Sequence, residues 1–368
     1  MAKINAGNER IKRDYLHFLK EAKGKSEASL DMVRKALARF EASTGGKDFK
    51  TFRREQAIAF KQRLAETDGL RSGEALSAAT QTATLSALKE FVTWLAWRPG
   101  FKSRLHLPDI EYLNPSRKDA AKAKAPKLRD YPSLEQIRAA IAALPTETIL
   151  DRRNRALLAF AILTGMRDRA VVSLSLRDLD LAKSPPLVRQ DPNTVETKFA
   201  KAIATYFFPV GDDLAAIVAE WVRELREEHL FGPTDPLFPR TRIGQGASWS
   251  FEVQGIERAH WSDASPVREI FRQAFTRAGL PYFPPHSFRH TLGHLAQTMC
   301  RTPEQLRAWS QNLGHENIAT TFSSYGKIDP HRQGEVIGAM AFAEGKSDDA
   351  ALDAISAILA RRGLWAHG

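Results

Sequence analysis

Residues 286–325 read HSFRHTLGHLAQTMCRTPEQLRAWSQNLGHENIATTFSSY. Helical apolar spacing runs through Ser287–Cys300 and again through Pro303–Asn312, where Pro303 suits a first helical position. Ile318–Ser324 makes a third, shorter helix. His286 and Arg289 lie three apart, so a helix places them on one face. Leu313-Gly314-His315 closes the second helix, and Tyr325 stands ten residues further on. Three helices and two polar breaks in forty residues set the expected class: mainly α with a small β-sheet.

Working outward, Asp151–Leu163 is apolar on more than one face and reads as a buried helix. Thr164-Gly165 ends it, with Gly165 as the stop, and Met166-Arg167 follows directly. An Arg at such a corner can be held rigidly at the edge of a cleft. Ser133 and Gln136 form a capping box that opens a helix over Leu134–Leu144. Residues 186–210 look extended, with a strand over Ala202–Phe208 that ends at Pro209. Thr197-Lys198-Phe199-Ala200-Lys201 is the break between two extended runs. Helices resume at Asp212–Glu228 and Pro266–Ala278, while residues 232–262, rich in Gly, Pro and Trp, show no assignable period.

Taken singly, these pieces are ordinary. A buried Arg usually pairs with a carboxylate, and a His-x-x-Arg pair arises by chance in a chain with 10 His. The order Arg167, Lys198, His286, Arg289, His315, Tyr325 is what stands out. In it the chain resembles the catalytic domain of the tyrosine recombinases, the phage integrase family. The matching motifs are T-G-M-R at 164–167, K-F-A-K at 198–201, H-S-F-R-H-T at 286–291 and L-G-H-E-N-I-A-T-T at 313–321, followed by Tyr325. The resemblance spans about residues 134–330. It implies an α+β catalytic domain preceded by a SAM-like, core-binding helical bundle.

The implied chemistry is site-specific cleavage and rejoining of DNA. Phosphodiester transfer passes through a crowded, charged phosphorus centre that needs donors on the non-bridging oxygens. Arg167 and Arg289 suit this, since a guanidinium is always charged and donates as a fork, and His315 supplies another donor. The resemblance makes Tyr325 the nucleophile, His286 the acceptor of its proton and Lys198 the donor to the leaving 5′ oxygen. A 3′-phosphotyrosyl link conserves the bond energy, so neither metal nor ATP nor any cofactor is implied. Three departures stand beside the match. The family often has nine residues from His to Tyr, not ten. It usually has an acidic residue three after the first Arg, where this chain has Ala170, with Asp168 the nearest carboxylate. Lys198 fits the turn spacing, whereas Lys201 better fits the distance to Pro209.

The 368 residues hold 54 Lys and Arg against 43 Asp and Glu, a net charge of +11. Residues 1–130 contain 27 Lys and Arg and 16 Asp and Glu, so the whole excess lies there and the remainder is balanced. Such an excess is the footprint of a polyanion binder; its bland alternative is a soluble basic surface. Helical periods at Glu9–Lys23, Ser29–Ala42, Phe52–Leu64 and Glu74–Trp97, with a break at Asp68–Gly73, predict a bundle over residues 1–113, with Trp94 and Trp97 in its core. Residues 114–132 read as a basic, Pro-bounded linker that is not expected to pack. Arg117, Lys118, Lys122, Lys124, Lys127 and Arg129 within it, together with Lys201, are candidate DNA contacts. The catalytic domain then occupies 133–368. Its apolar-striped stretch 347–366 either packs on its own domain or docks on a neighbouring protomer.

One cysteine, Cys300, rules out an internal disulfide and fits a reducing compartment. No secretory signal or membrane span is visible, and a cytoplasmic, nucleoid-associated location is expected. The implied partners are double-stranded DNA, three further protomers in a tetramer on two sites, and accessory DNA-bending proteins. Rival readings remain open. His286, His290 and His294 recur at four-residue spacing, which is good zinc geometry, but no Cys pair or acidic cluster completes a shell and no metal site is expected. The same motif order would also suit a DNA-binding protein that has lost catalysis, or a type IB topoisomerase-like relaxer.

Overall fold

The computed structural model describes residues 5–66, 75–125, 130–197, 201–245 and 250–315. Lys127, Arg129, Lys198, Tyr325, the expected break at 68–73 and the stretches 318–324 and 347–366 lie outside the described residues, as does the side chain of Lys124. The chain divides into two compact units, Met1–Ala125 and Pro126–Gly368. Among the described residues no helix is long and apolar enough to cross a membrane.

The first unit is built on four long helices: α1 (Ala6–Glu21), α2 (Glu27–Thr44), α3 (Arg54–Ala65) and α4 (Ala78–Ala96). Ser26 and Ser77 cap α2 and α4 through their hydroxyls, the role their short side chains favour. The core is aromatic. Phe91 takes Tyr15 and Phe49 at ring separations of 5.1 and 4.9 Å, and Phe40 meets Phe60 edge-on at 5.3 Å. One amide is buried with this core. Asn8 donates to Glu41 Oε1 (3.1 Å) and the Lys47 carbonyl (2.9 Å), and accepts from the Phe49 N–H (3.1 Å). It ties α1 to the turn after α2 with every polar atom of the amide engaged.

Two expectations fail here. Trp94 is partly buried against the core, but Trp97 is 65% exposed, with Lys102 over its ring. It is the residue after α4, where the helical face no longer points inward. The basic stretch expected to be an unpacked tether is partly helical. After the short α5 (Leu107–Ile110), α6 (Arg117–Lys124) starts at Ser116, whose hydroxyl accepts from the Asp119 N–H, and it packs on α4. A Ser cap and an Ala/Lys run are good helix formers whatever the charge. The boundary between units falls after Ala125, inside the expected 114–132 linker.

The second unit is wrapped around α8 (Ile149–Thr164), buried at every position from Ala156 to Thr164. The preceding α7 (Leu134–Ala142) has the Ser133–Gln136 capping box. Short α9 (Asp168–Ser173) follows α8 through the Gly165 corner. Strands β1 (Leu179–Asp180), β2 (Leu187–Gln190) and β3 (Ile203–Tyr206) form an antiparallel sheet in the order β1-β2-β3, with Val188 opposite both Leu179 and Thr205. Helix α10 (Asp212–Glu227) packs along α8, and α11 (Ser265–Arg277), α12 (Ser287–Met299) and α13 (Pro303–Asn312) complete the unit.

The stretch without a readable period holds a hairpin, β4 (Arg240–Gln245) with β5 (Phe251–Glu257). Most of it is wetted on both faces, and Phe251 is 86% exposed, so no inward-outward alternation exists to be read. Its base is held by Arg153 of α8. This buried guanidinium donates to the Pro239 carbonyl (2.9 Å) and Thr241 Oγ1 (3.1 Å) and lies 5.0 Å from the Trp261 ring. Burial pulls its pKa down to about 10, so it stays charged at neutral pH.

Candidate active site

Arg289 is the hub of the site. It sits in the first turn of α12, 6% exposed, because Phe288 and Leu292 on either side drive that turn into the core. Its Nη1 donates to the Gly165 carbonyl, and its Nη2 donates to the Leu313 carbonyl (2.6 Å) and faces His315 Nε2 at 3.1 Å. One side chain thus joins three separate motifs: the corner before Arg167, its own helix, and the turn that carries His315. A guanidinium can do this because its donors lie in a fixed planar fork.

Both turns depend on glycine. Gly165 has φ 58°, and a Cβ there would stand 2.7 Å from Leu292 and 2.9 Å from Leu313. Gly314 has φ 67°, and its Cβ would meet Ile203 at 3.2 Å. The left-handed conformation and the close approach together disfavour any side chain at Gly165.

Arg167 precedes α9 with extended backbone (φ −72°, ψ 143°), and its carbonyl accepts from the Val171 N–H. It is half-buried, which pushes its pKa below the ordinary Arg value. Among the described residues it pairs with no carboxylate. The nearest acidic neighbour in sequence, Asp168, is engaged elsewhere: its Oδ2 accepts from Arg268 Nε (3.1 Å) and Nη2 (2.8 Å). Ala170 is buried in the core. The acidic residue that the family resemblance places there is thus replaced by an apolar packing group.

His315 is pushed down to about 4, first by burial and then by its neighbours Arg289, Arg167 and His286. It is therefore neutral at physiological pH. A guanidinium only donates, so Nε2 facing Arg289 acts as acceptor, which leaves the ring proton on Nδ1. His286 precedes α12 and is exposed, with its ring edge-to-face with His290 at 5.3 Å. Arg289, Arg167 and His286 all act electrostatically on His315, so the site gathers two guanidinium groups and two imidazoles, an arrangement suited to an anion.

The strand pair that leads into residues 198–201 is fastened to the same turn. Asn312, at the end of α13, accepts the Tyr206 N–H on Oδ1 (2.7 Å) and donates Nδ2 to the Tyr206 carbonyl (2.8 Å). Thr205 Oγ1 donates to the Asn312 carbonyl (3.3 Å). With Ile203 seated on Gly314, this fixes β3 beside His315. Lys201, half-buried, lies two residues before Ile203, and Glu196 on the other side pairs with Arg169. Asn312 and Arg268 make long-range contacts beside the site that the sequence did not disclose. Their partners lie 106 and 100 residues away, and no local pattern marks them.

His290 and His294 flank Tyr131, with ring separations of 6.4 and 5.8 Å. The one convergent His and carboxylate group among the described residues is Glu224, Glu228 and His229, and there Arg152 already holds Glu224 through two 2.8 Å bonds. The candidate DNA contacts Arg117, Lys118 and Lys122 are exposed on α6 in the first unit.

A family model described as the phage integrase family matches residues 133–332. The tyrosine recombinase XerC of Xylella fastidiosa (strain M23) is 27% identical over 321 residues, which cover 85% of this chain and 90% of the relative. XerD of Neisseria meningitidis serogroup A is 27% identical over 66% of this chain and 70% of its own. Two solved structures share the fold. A lambda integrase dimer bound to a COC′ core site superposes with TM-score 0.59 at 13% identity, over 92% of this chain and 79% of that one. XerH bound to its difH substrate does so with TM-score 0.56 at 15% identity, over 90% and 85%. With the motif order, the Arg289-centred site and a family match over more than half its length, the chain belongs to the phage integrase family and is an enzyme of the tyrosine recombinase class.

Proposed function

We propose that this chain is a site-specific DNA recombinase that cleaves and rejoins strands through a 3′-phosphotyrosyl link on Tyr325, without metal or ATP. The observation that supports the reading is the Arg289 hub, whose bonds tie the corner before Arg167 to the turn that carries His315, with His286 at the start of the same helix and no carboxylate on the Arg167 guanidinium among the described residues. Arg167, Arg289 and the Nδ1–H of His315 hold the non-bridging oxygens of the scissile phosphate. Tyr325 Oη attacks phosphorus and gives its proton to His286. The phosphorus–O5′ bond breaks, and Lys198 protonates the leaving oxygen. A 5′ hydroxyl from a second duplex reverses these steps and completes the exchange. Lys201 and the cations of residues 117–129 contact backbone phosphates.

The relatives support the partners. The lambda integrase and XerH structures hold DNA, and another lambda integrase structure is a tetramer on a Holliday junction. The same assembly, four protomers on two duplexes, is proposed here, together with a DNA-associated location in the cell. The test needs a DNA site, which the protein can select from a pool of random-sequence duplexes. A plasmid carrying two copies of the selected site, incubated with protein and EDTA, should yield deletion or inversion products. Relaxation without exchange would favour the topoisomerase reading, and binding without either a catalytically inactive DNA binder.

A further inference from the structure

Arg167 is followed at once by an acid and then by another cation: Arg167-Asp168-Arg169. Consecutive Arg and acid residues at a helix start can pair directly, and this protein does so elsewhere. Arg54 and Glu55, the first two residues of α3, meet at 3.0 Å. Asp168 occupies the first position of α9, next to the side chain proposed to bind phosphate. An unengaged carboxylate there would compete with the phosphate for Arg167.

It is not unengaged. Asp168 Oδ1 accepts from the Arg169 N–H at 3.0 Å, and Oδ2 takes both Nε and Nη2 of Arg268 from α11. The Asp168 side chain is 24% exposed and that of Arg268 52%, so the pair is only partly screened. Arg169, for its part, is drawn to Glu196. Each charge flanking Arg167 is thus matched by a group from another segment, and Arg167 alone among the three has no such partner in the described residues.

We propose that Arg268 is a positioning residue for strand cleavage: it holds the Asp168 carboxylate off Arg167 and so leaves the Arg167 guanidinium open to a DNA phosphate. The proposal rests on the reading of Arg167 as a phosphate ligand. It differs from a plain cross-link between α9 and α11, because the harm from losing Arg268 comes from the freed carboxylate rather than from the missing bond.

Single-turnover cleavage of a nicked duplex carrying the selected site separates the two. Arg268→Ala should slow cleavage about 10-fold or more, since a diverted guanidinium no longer serves as an oxyanion donor. Adding Asp168→Asn to it should recover most of that rate, because the competing charge is gone. A double variant as slow as Arg268→Ala would overturn the proposal in favour of a simple cross-link, and a wild-type rate for Arg268→Ala would overturn it outright. Arg268→Gln keeps the packing of the stem and carries the same comparison if Arg268→Ala fails to fold. Arg167→Ala in the same assay isolates the underlying reading. A wild-type rate there would refute the role of Arg167 itself, whatever Arg268 does.

Discussion

Arg289 shows how much of one residue's work is hidden from sequence. Its type and its spacing from His286 marked it as a phosphate ligand. The structure adds that two of its donors go to main-chain carbonyls, of Gly165 and Leu313. Neither partner could be read, because a carbonyl is common to every residue. Arg289→Lys keeps the charge and loses the planar fork, so the site should lose alignment more than affinity. Cleavage should fall by about 100-fold or more while duplex binding, measured by anisotropy, changes little. His315 gives a pH signature. Its folded value of about 4 lies below the ordinary 6.5, so the unfolded chain takes up a proton in that interval and the folded one does not. Stability should therefore decline as pH drops from about 6.5 towards 4. His315→Gln should show a smaller difference in melting temperature between pH 7 and pH 5; an equal difference would assign the acid sensitivity to other groups.

At the scale of elements, helices with one apolar face or a cap were legible. Both capping and stop signals around α7 and α8 fall where the sequence put them, at Ser133 and Gly165. What resisted reading lacked a dry side. The β4–β5 hairpin shows water on both faces, and the helical character of α6 was hidden behind its own charge. The docking of β3 onto the end of α13 was also invisible, since the Asn312 amide that makes two of its bonds finds its partner 106 residues away. Asn312→Ala removes the two amide bonds to Tyr206 and should loosen the segment that carries Lys198 and Lys201. The expected result is slower cleavage with duplex affinity nearly unchanged and a stability cost of about 1 kcal/mol, in urea unfolding. Gly165→Ala should cost more, about 2 kcal/mol or above, because it adds left-handed strain to a clash with Leu292 and Leu313. In the first unit, Asn8→Ala strands the buried Phe49 N–H and should destabilise by about 1–3 kcal/mol; an unchanged melting profile would show that water replaces the amide.

The molecule as a whole divides its labour by charge. The stretch proposed to carry the chemistry is balanced in net charge, while the net positive charge sits in the first 130 residues, as the sequence alone showed. Binding should accordingly weaken steeply with salt. Replacing Arg117, Lys118 and Lys122 together by Gln should flatten the slope of log affinity against log salt by about 0.9 for each phosphate no longer neutralised. An unchanged slope would remove α6 from the DNA interface. The motif order predicts the chemistry more directly than any of these distances. Its last member, Tyr325, lies beyond the described residues, and the ten-residue step from His315 makes it the decisive position.

The most direct measurement is covalent trapping on a nicked duplex carrying the selected site, with EDTA present, comparing the wild type with Tyr325→Phe. The account predicts a protein–DNA adduct for the wild type, mapped by peptide mass to Tyr325, and none for the variant. An adduct that persists in Tyr325→Phe, or one that forms only when metal is restored, would contradict it.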